Sequence, residues 1–240
     1  MESVAESIIQ RAIDKEKKEQ YTMALVLYQE GLQMLIDAIK ELKDPVRKVS
    51  FQNNAKEYME RAERVKALIE KKKLSGKYRE HIKIESNATG YGYSSVFGRF
   101  LDGRVTQICV EEPYIRTYHQ CQNFLRFCEL AVQKCQSLSK ISLTTTSEKN
   151  KKSEQLEWLE QLKTSLADHL VTLDVQFSET LHDRQISLNN GWIIKIGRGL
   201  DYFKPPFSKF VLGYFDLELR PCLETKVDIF HQSQIEDNKK

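Results

Sequence analysis

The chain has 240 residues, of which 40% are hydrophobic and 30% charged, with a formal net charge of +3. That length holds one or two domains with cores of their own, and no apolar run is long enough to cross a bilayer. Residues 1–80 carry 17 basic against 14 acidic side chains and residues 81–240 carry 20 against 20, which excludes an electrostatically driven nucleic-acid binder.

Residues 2–18 place Val4, Ala5, Ile8, Ile9, Ala12 and Ile13 at helical spacing, which predicts a first amphipathic helix. The leading Met1-Glu-Ser-Val-Ala-Glu is acidic and has no apolar segment behind basic residues, so no signal peptide is expected and the cytoplasm is the expected compartment. Glu19-Gln20 offers a short connection to a second helix, on which Ala24, Leu25, Tyr28, Leu32, Leu35, Ile36 and Ile39 form one broad stripe. Asp44-Pro45 then starts a third, because proline is tolerated in a first turn and not in a helix interior. There Ala55, Tyr58, Ala62, Val65 and Ile69 make the apolar stripe, while Met59, Glu63 and Lys66 lie on the neighbouring one at i, i+4 and i+7. Loops this short predict an antiparallel three-helix bundle. A soft apolar residue one turn before a carboxylate suits a partner helix carrying leucines and a basic residue.

The pattern Tyr21-x-x-Ala24-Leu25-x-Leu27-Tyr28-x-x-Gly31-Leu32, followed by Glu57-Tyr58-x-x-Arg61-Ala62-Glu63, resembles the MIT domain, the microtubule-interacting and trafficking module. The resemblance covers residues 1–73. It implies binding of carboxy-terminal helices of ESCRT-III subunits, the charged multivesicular body proteins, with Met59, Glu63, Glu60, Ala62 and Lys66 as the partner-binding positions.

Residues 70–80, a lysine run ending at Gly76, drop the stripe and predict a boundary, with 74–80 as linker. Beyond it, short β-branched runs at 108–111, 141–146, 171–177, 186–189, 192–196 and 227–230 alternate with helical stretches at 118–134 and 154–169. The fold class expected is therefore α + α/β, a three-helix bundle followed over 81–235 by a mixed α/β domain with helices packed on a sheet. A polar loop at 144–153 and a charged tail at 236–240 complete the expected organisation. Five cysteines, three of them Cys121, Cys128 and Cys135 seven apart, form neither a metal spacing nor a disulfide framework and are expected as buried apolar thiols.

His182-x-Arg184 followed by Asn189, then Gly197 and Gly199, resembles the phospholipase D signature. In that family a histidine attacks phosphorus, a lysine neutralises the phosphate, and two copies converge to supply nucleophile and acid. Here only His182 matches. Arg184 stands for the lysine, and Asn189 stands for the aspartate, so the motif is degenerate and no catalytic residue is expected. A dimeric phosphodiesterase using His182 is the alternative.

Between positions 184 and 209, Arg184, Lys195, Arg198, Lys204 and Lys209 outnumber one acid, Asp201. Such a cluster is either a solvated strand and loop or a surface for anionic head groups, worth roughly 1 kcal/mol per charge near a membrane. Taken whole, the chain resembles the family in which an MIT module is fused to a phospholipase D-like domain. That implies a non-enzymatic adaptor without cofactor or metal. It also implies a homodimer through the second domain and peripheral binding to phosphoinositide membrane. Such proteins act at the endosome and, in abscission, at the midbody.

Overall fold

The structure is a computed structural model and describes residues 2–147 and 152–232. The expected charged tail and the middle of the expected 144–153 loop lie outside the described residues. The chain divides into two compact units between Glu80 and His81.

The first unit holds helices α1 (Glu2–Lys17), α2 (Tyr21–Glu41) and α3 (Pro45–Leu74). Asp44 caps α3, its carboxylate accepting from the amides of Val46 and Arg47. This satisfies donors that the first turn leaves unpaired, with Pro45 supplying none. Ala5, Ile8, Ile9 and Ala12 from α1 pack against Ala24, Leu27, Tyr28, Leu32, Leu35 and Ile39 from α2 and against Ala55, Ala62, Val65 and Ile69 from α3. The expected stripes shift slightly: Val4 is exposed, and Leu27 is buried in place of Leu25 and Ile36. One polar knot ties all three helices, since Glu16 accepts from the Tyr28 hydroxyl at 2.6 Å and from Arg61 Nε at 2.7 Å. Burial, and then the hydrogen bond to Glu16, raise the Tyr28 phenol far enough that it stays protonated.

The α3 helix runs further than the stripe suggested, through the lysine run, whose charges suit the negative end of the helix dipole. It stops where Gly76 takes φ +64°. There the amide of Lys77 bonds the Lys72 carbonyl and that of Gly76 the Lys73 carbonyl, a Schellman closure that needs a residue without Cβ. Residues 74–80, expected as linker, thus include the end of α3 and the start of strand β1 (Arg79–Ile84).

In the second unit β1 is followed by α4 (Tyr93–Phe97), β2 (Gln107–Glu111), α5 (Tyr118–Lys134), β3 (Lys140–Thr145), α6 (Lys152–Asp168), β4 (Thr172–Phe177), β5 (Gln185–Leu188), β6 (Trp192–Ile196) and β7 (Thr225–His231). They form one sheet in the order β1-β7-β6-β5-β2-β3-β4. β2, β3 and β4 run parallel, joined by α5 and α6, while β5, β6 and β7 return antiparallel. Right-handed crossovers put both helices on one face. Ile108, Val110, Ile141, Leu143, Ile186 and Ile194 fill that face under Phe124, Phe127 and Leu159, and Phe97 of α4 meets Phe127 edge-on at 5.5 Å. The opposite face carries Cys109, Ser142, Ser187 and Lys195, with half-buried Ile193 and Phe230 among them. Cys109 is therefore exposed, a correction to its expected burial, because strand alternation turns it away from Ile108 and Val110. The other four thiols are buried.

Candidate functional site

On the first unit the candidate surface is a ridge along α3. Met59 is 46% exposed, and Glu60, Glu63 and Lys66 are open to water. Glu63 and Lys66 approach to 3.9 Å with both side chains more than half exposed, a pair worth less than about 1 kcal/mol and readily exchanged for a partner's cation. Ala62 belongs instead to the bundle core, where it continues the line from Ala55 to Ile69. Its side chain is buried between the helices and, unlike the other four, offers little surface to a partner.

On the second unit the sites expected from sequence are dispersed. His182 is exposed just before β5 and makes no hydrogen bond or ion pair among the described residues. Asn189 stands beyond the other end of that strand, whose own four residues span about 13 Å at 3.3 Å per residue. There its Oδ1 accepts from the amides of Thr106 and Gln107 at 2.9 and 3.1 Å, and its Nδ2 donates to the Thr106 hydroxyl. Asn189 is thus a brace between chain segments, and no carboxylate orients His182.

Arg184, in the motif's lysine position, is held on three sides. Its guanidinium lies 4.6 Å from the Tyr114 ring centroid, donates to the Gly197 carbonyl, and places Nε 3.8 Å from Glu112 Oε1. Glu112 follows β2 directly and is buried, accepting from the amides of Leu200 at 3.1 Å and Tyr114 at 3.3 Å. Burial pushes its carboxyl up to about 7, against the opposing pull of those amides and of Arg184. Beside it, Asp201 accepts from Asn123 Nδ2 at 3.1 Å and faces His119 Nε2 at 3.1 Å. Its pKa is lowered, first by the hydrogen bond to His119.

Arg184 and Asp201 face a cleft of about 520 Å³ where β2 and β6 end and β5 and β7 begin; Tyr114, Arg198, Thr225 and Lys226 also line it. Crevices of α/β sheets form at the carboxyl ends of strands, where chain direction switches. Two buried polar atoms in its lining, Arg184 Nε and Thr225 Oγ1, have no hydrogen-bond partner among the described residues. Of the five basic residues singled out on sequence, the structure brings Arg184 and Arg198 to this cleft. Lys195 projects from the helix-free face of the sheet, Lys204 donates to Asn87 Oδ1 at 2.6 Å, and Lys209 stands on an exposed loop. Charge counting missed Glu112, Thr225 and Lys226, since nothing local in the sequence says that four strand ends meet. Among the described residues no His, Cys, Asp and Glu group could hold a metal ion.

Residues 3–67 match the family model of the MIT (microtubule interacting and transport) domain, and residues 90–231 match that of the phospholipase D-like domain at the C-terminus of MIT. Over 230 residues the chain is 46% identical to mouse MIT domain-containing protein 1, covering 95% of this chain and 92% of that one. With a three-helix bundle leading into a seven-stranded mixed sheet, the chain belongs to the family that joins an MIT domain to a phospholipase D-like carboxy-terminal domain.

Proposed function

We propose that the chain is a non-enzymatic adaptor. Its MIT domain binds carboxy-terminal helices of ESCRT-III subunits, and its phospholipase D-like domain, as a homodimer, binds anionic phosphoinositide membrane. It acts from the cytoplasm, peripherally on endosomal membrane and at the midbody in abscission. The observation that carries this reading is the ridge of Met59, Glu63 and Lys66, a solvent-open apolar anchor followed by an exchangeable carboxylate on the family's recognition helix. Support for the non-enzymatic part comes from the phospholipase D signature, in which Asn189 stands for the aspartate and Arg184, standing for the lysine, is already engaged by Tyr114, Gly197 and Glu112.

Met59→Asp sets a charge against the partner's leucines and is expected to weaken binding of an ESCRT-III tail peptide by about 2 kcal/mol, or tens-fold. Glu63→Ala costs less, because its ion pair is solvated. Calorimetric titration with helicity monitored in parallel checks both; unchanged affinity in a folded Met59→Asp protein removes the assignment. The competing phosphodiesterase reading predicts turnover of a generic phosphodiester that disappears in His182→Ala.

Dimerisation is expected to reside in the second unit, whose sheet has one face that its own helices leave uncovered. A phospholipase D-like domain with a single half-motif takes its second half from another chain. Sedimentation of full chain and of residues 81–232 at micromolar concentration tests this. A monomeric full chain refutes dimerisation altogether, and a dimeric full chain with a monomeric fragment moves the seam elsewhere.

A further inference from the structure

Between β6 and β7 the chain makes an excursion whose stem is firmly held and whose tip is not covered. Phe203 bridges Cys222, and the Lys204 amide bonds the Pro221 carbonyl, so the two ends of the excursion lie side by side. The Arg220 side chain, itself buried, donates to the carbonyls of Gly213 and Tyr214. Glu218 accepts from the amides of Gly92 and Ser95 and from the Ser95 hydroxyl, and Leu217 beside it is buried. Such anchoring leaves little freedom for the tip to fold back onto the domain. Yet Phe207 is 92% exposed, Phe210 98%, Leu212 87% and Phe215 83%. Isolated apolar side chains on a surface need no account; four on one short anchored loop do.

The composition of the loop selects its partner. From residue 202 to 215 there is no acid, while Lys204 and Lys209 are present. Aromatic and aliphatic side chains accompanied by lysines suit the boundary between acyl chains and anionic head groups, where rings enter and ammonium groups remain in the polar layer. The loop springs from the same strand ends as the cleft, since Arg198 Nε donates to the Glu224 carbonyl two residues beyond the stem.

We propose that residues 205–215 form a membrane-insertion loop that enters the acyl region of an anionic bilayer through Phe207, Phe210, Leu212 and Phe215. This rests on the membrane-binding part of the reading above and adds to it a contact that salt does not screen.

The test uses the full chain and phosphatidylcholine vesicles with and without phosphoinositide. A variant with Phe207→Ser, Phe210→Ser, Leu212→Ser and Phe215→Ser removes no packed side chain, and its folding is checked by the denaturation midpoint. Partition onto phosphoinositide vesicles is expected to fall about a hundredfold or more, in proportion to the apolar area withheld from lipid. The charge-reversed variant Lys195→Glu, Arg198→Glu, Lys204→Glu is expected to lose the salt-sensitive part of binding. As a direct readout, Phe210→Trp is expected to become quenched by lipids brominated on their acyl chains, above the level of the wild-type tryptophans. Vesicle binding without added quenching in Phe210→Trp overturns the insertion loop and leaves the membrane reading standing. No vesicle binding by the wild type overturns both. A serine variant that binds vesicles normally but sediments as a monomer shows the loop to be a seam between copies, and also overturns the proposal.

Discussion

Gly199→Ala is expected to destabilise the second unit by about 2–5 kcal/mol. The residue has φ +60°, and a Cβ built there would lie 1.4 Å from Glu112 Oε2. A left-handed backbone costs an ordinary residue roughly 1–2 kcal/mol, and forcing an extra methyl into a packed site adds about 1–3 kcal/mol. Escape is closed on the other side, because Glu112 is held by two amides and by Arg184, so moving its carboxylate breaks the hydrogen bond to Leu200 as well. Both tryptophans, Trp158 and Trp192, lie in the second unit, which lets denaturant unfolding followed by tryptophan fluorescence report on it. A midpoint within about 0.5 kcal/mol of the wild type would show that the carboxylate is not where the structure has it.

The second large effect is a pH dependence centred on the same carboxyl. Glu112 ordinarily titrates at 4.5, and in the folded chain burial moves it up to about 7. The folded state therefore holds a proton that the unfolded state has released across this window. Stability from this group is fully present below 4.5 and is lost as pH rises through about 7, a change of roughly 3 kcal/mol. Asp201 works in the opposite sense and a lower window. Its carboxyl is lowered chiefly by His119, so its contribution is present above the ordinary aspartate value and lost as pH falls through its depressed one. Glu112→Gln removes the first slope and leaves the second. Denaturation series from pH 4 to pH 8 on both proteins measure the difference; equal slopes above pH 4.5 would assign the pH dependence to other groups.

What the sequence disclosed and what it withheld follow from the range of the forces involved. Helix α5 was legible as a helical stretch over 118–134, and the structure adds the capping box of Thr117 and Gln120 that starts it. Strands β2 to β7 were legible as β-branched runs. Strand β1 was not, since Arg-Glu-His-Ile-Lys-Ile alternates weakly and begins inside a charged stretch. Nor was α4, five residues stabilised from outside by Glu218. The cleft was invisible for a different reason. Glu112, Arg184, Gly199 and Thr225 are scattered along the chain and meet only through sheet order, and linear charge counting replaced that geometry with Lys195 and Lys204, which point elsewhere. The apolar loop escaped because periodicity locates buried faces, and the side chains of Phe207 and Phe210 belong to none.

The pairing of β1 with β7 sets a timetable for synthesis. The first strand of the domain leaves the ribosome before every other strand, and its neighbour in the sheet is the last to be made. At about 5–20 residues per second, β1 waits on the order of ten seconds without its partner, exposing Ile82 and Ile84, which are buried in the finished sheet. Over that interval the parallel core of β2, β3 and β4 can assemble from neighbouring segments. The edge strand can only join at the end. A chain stopped just short of β7 therefore loses two strands of the sheet instead of one, and emerges with an unpaired apolar edge that chaperones recognise.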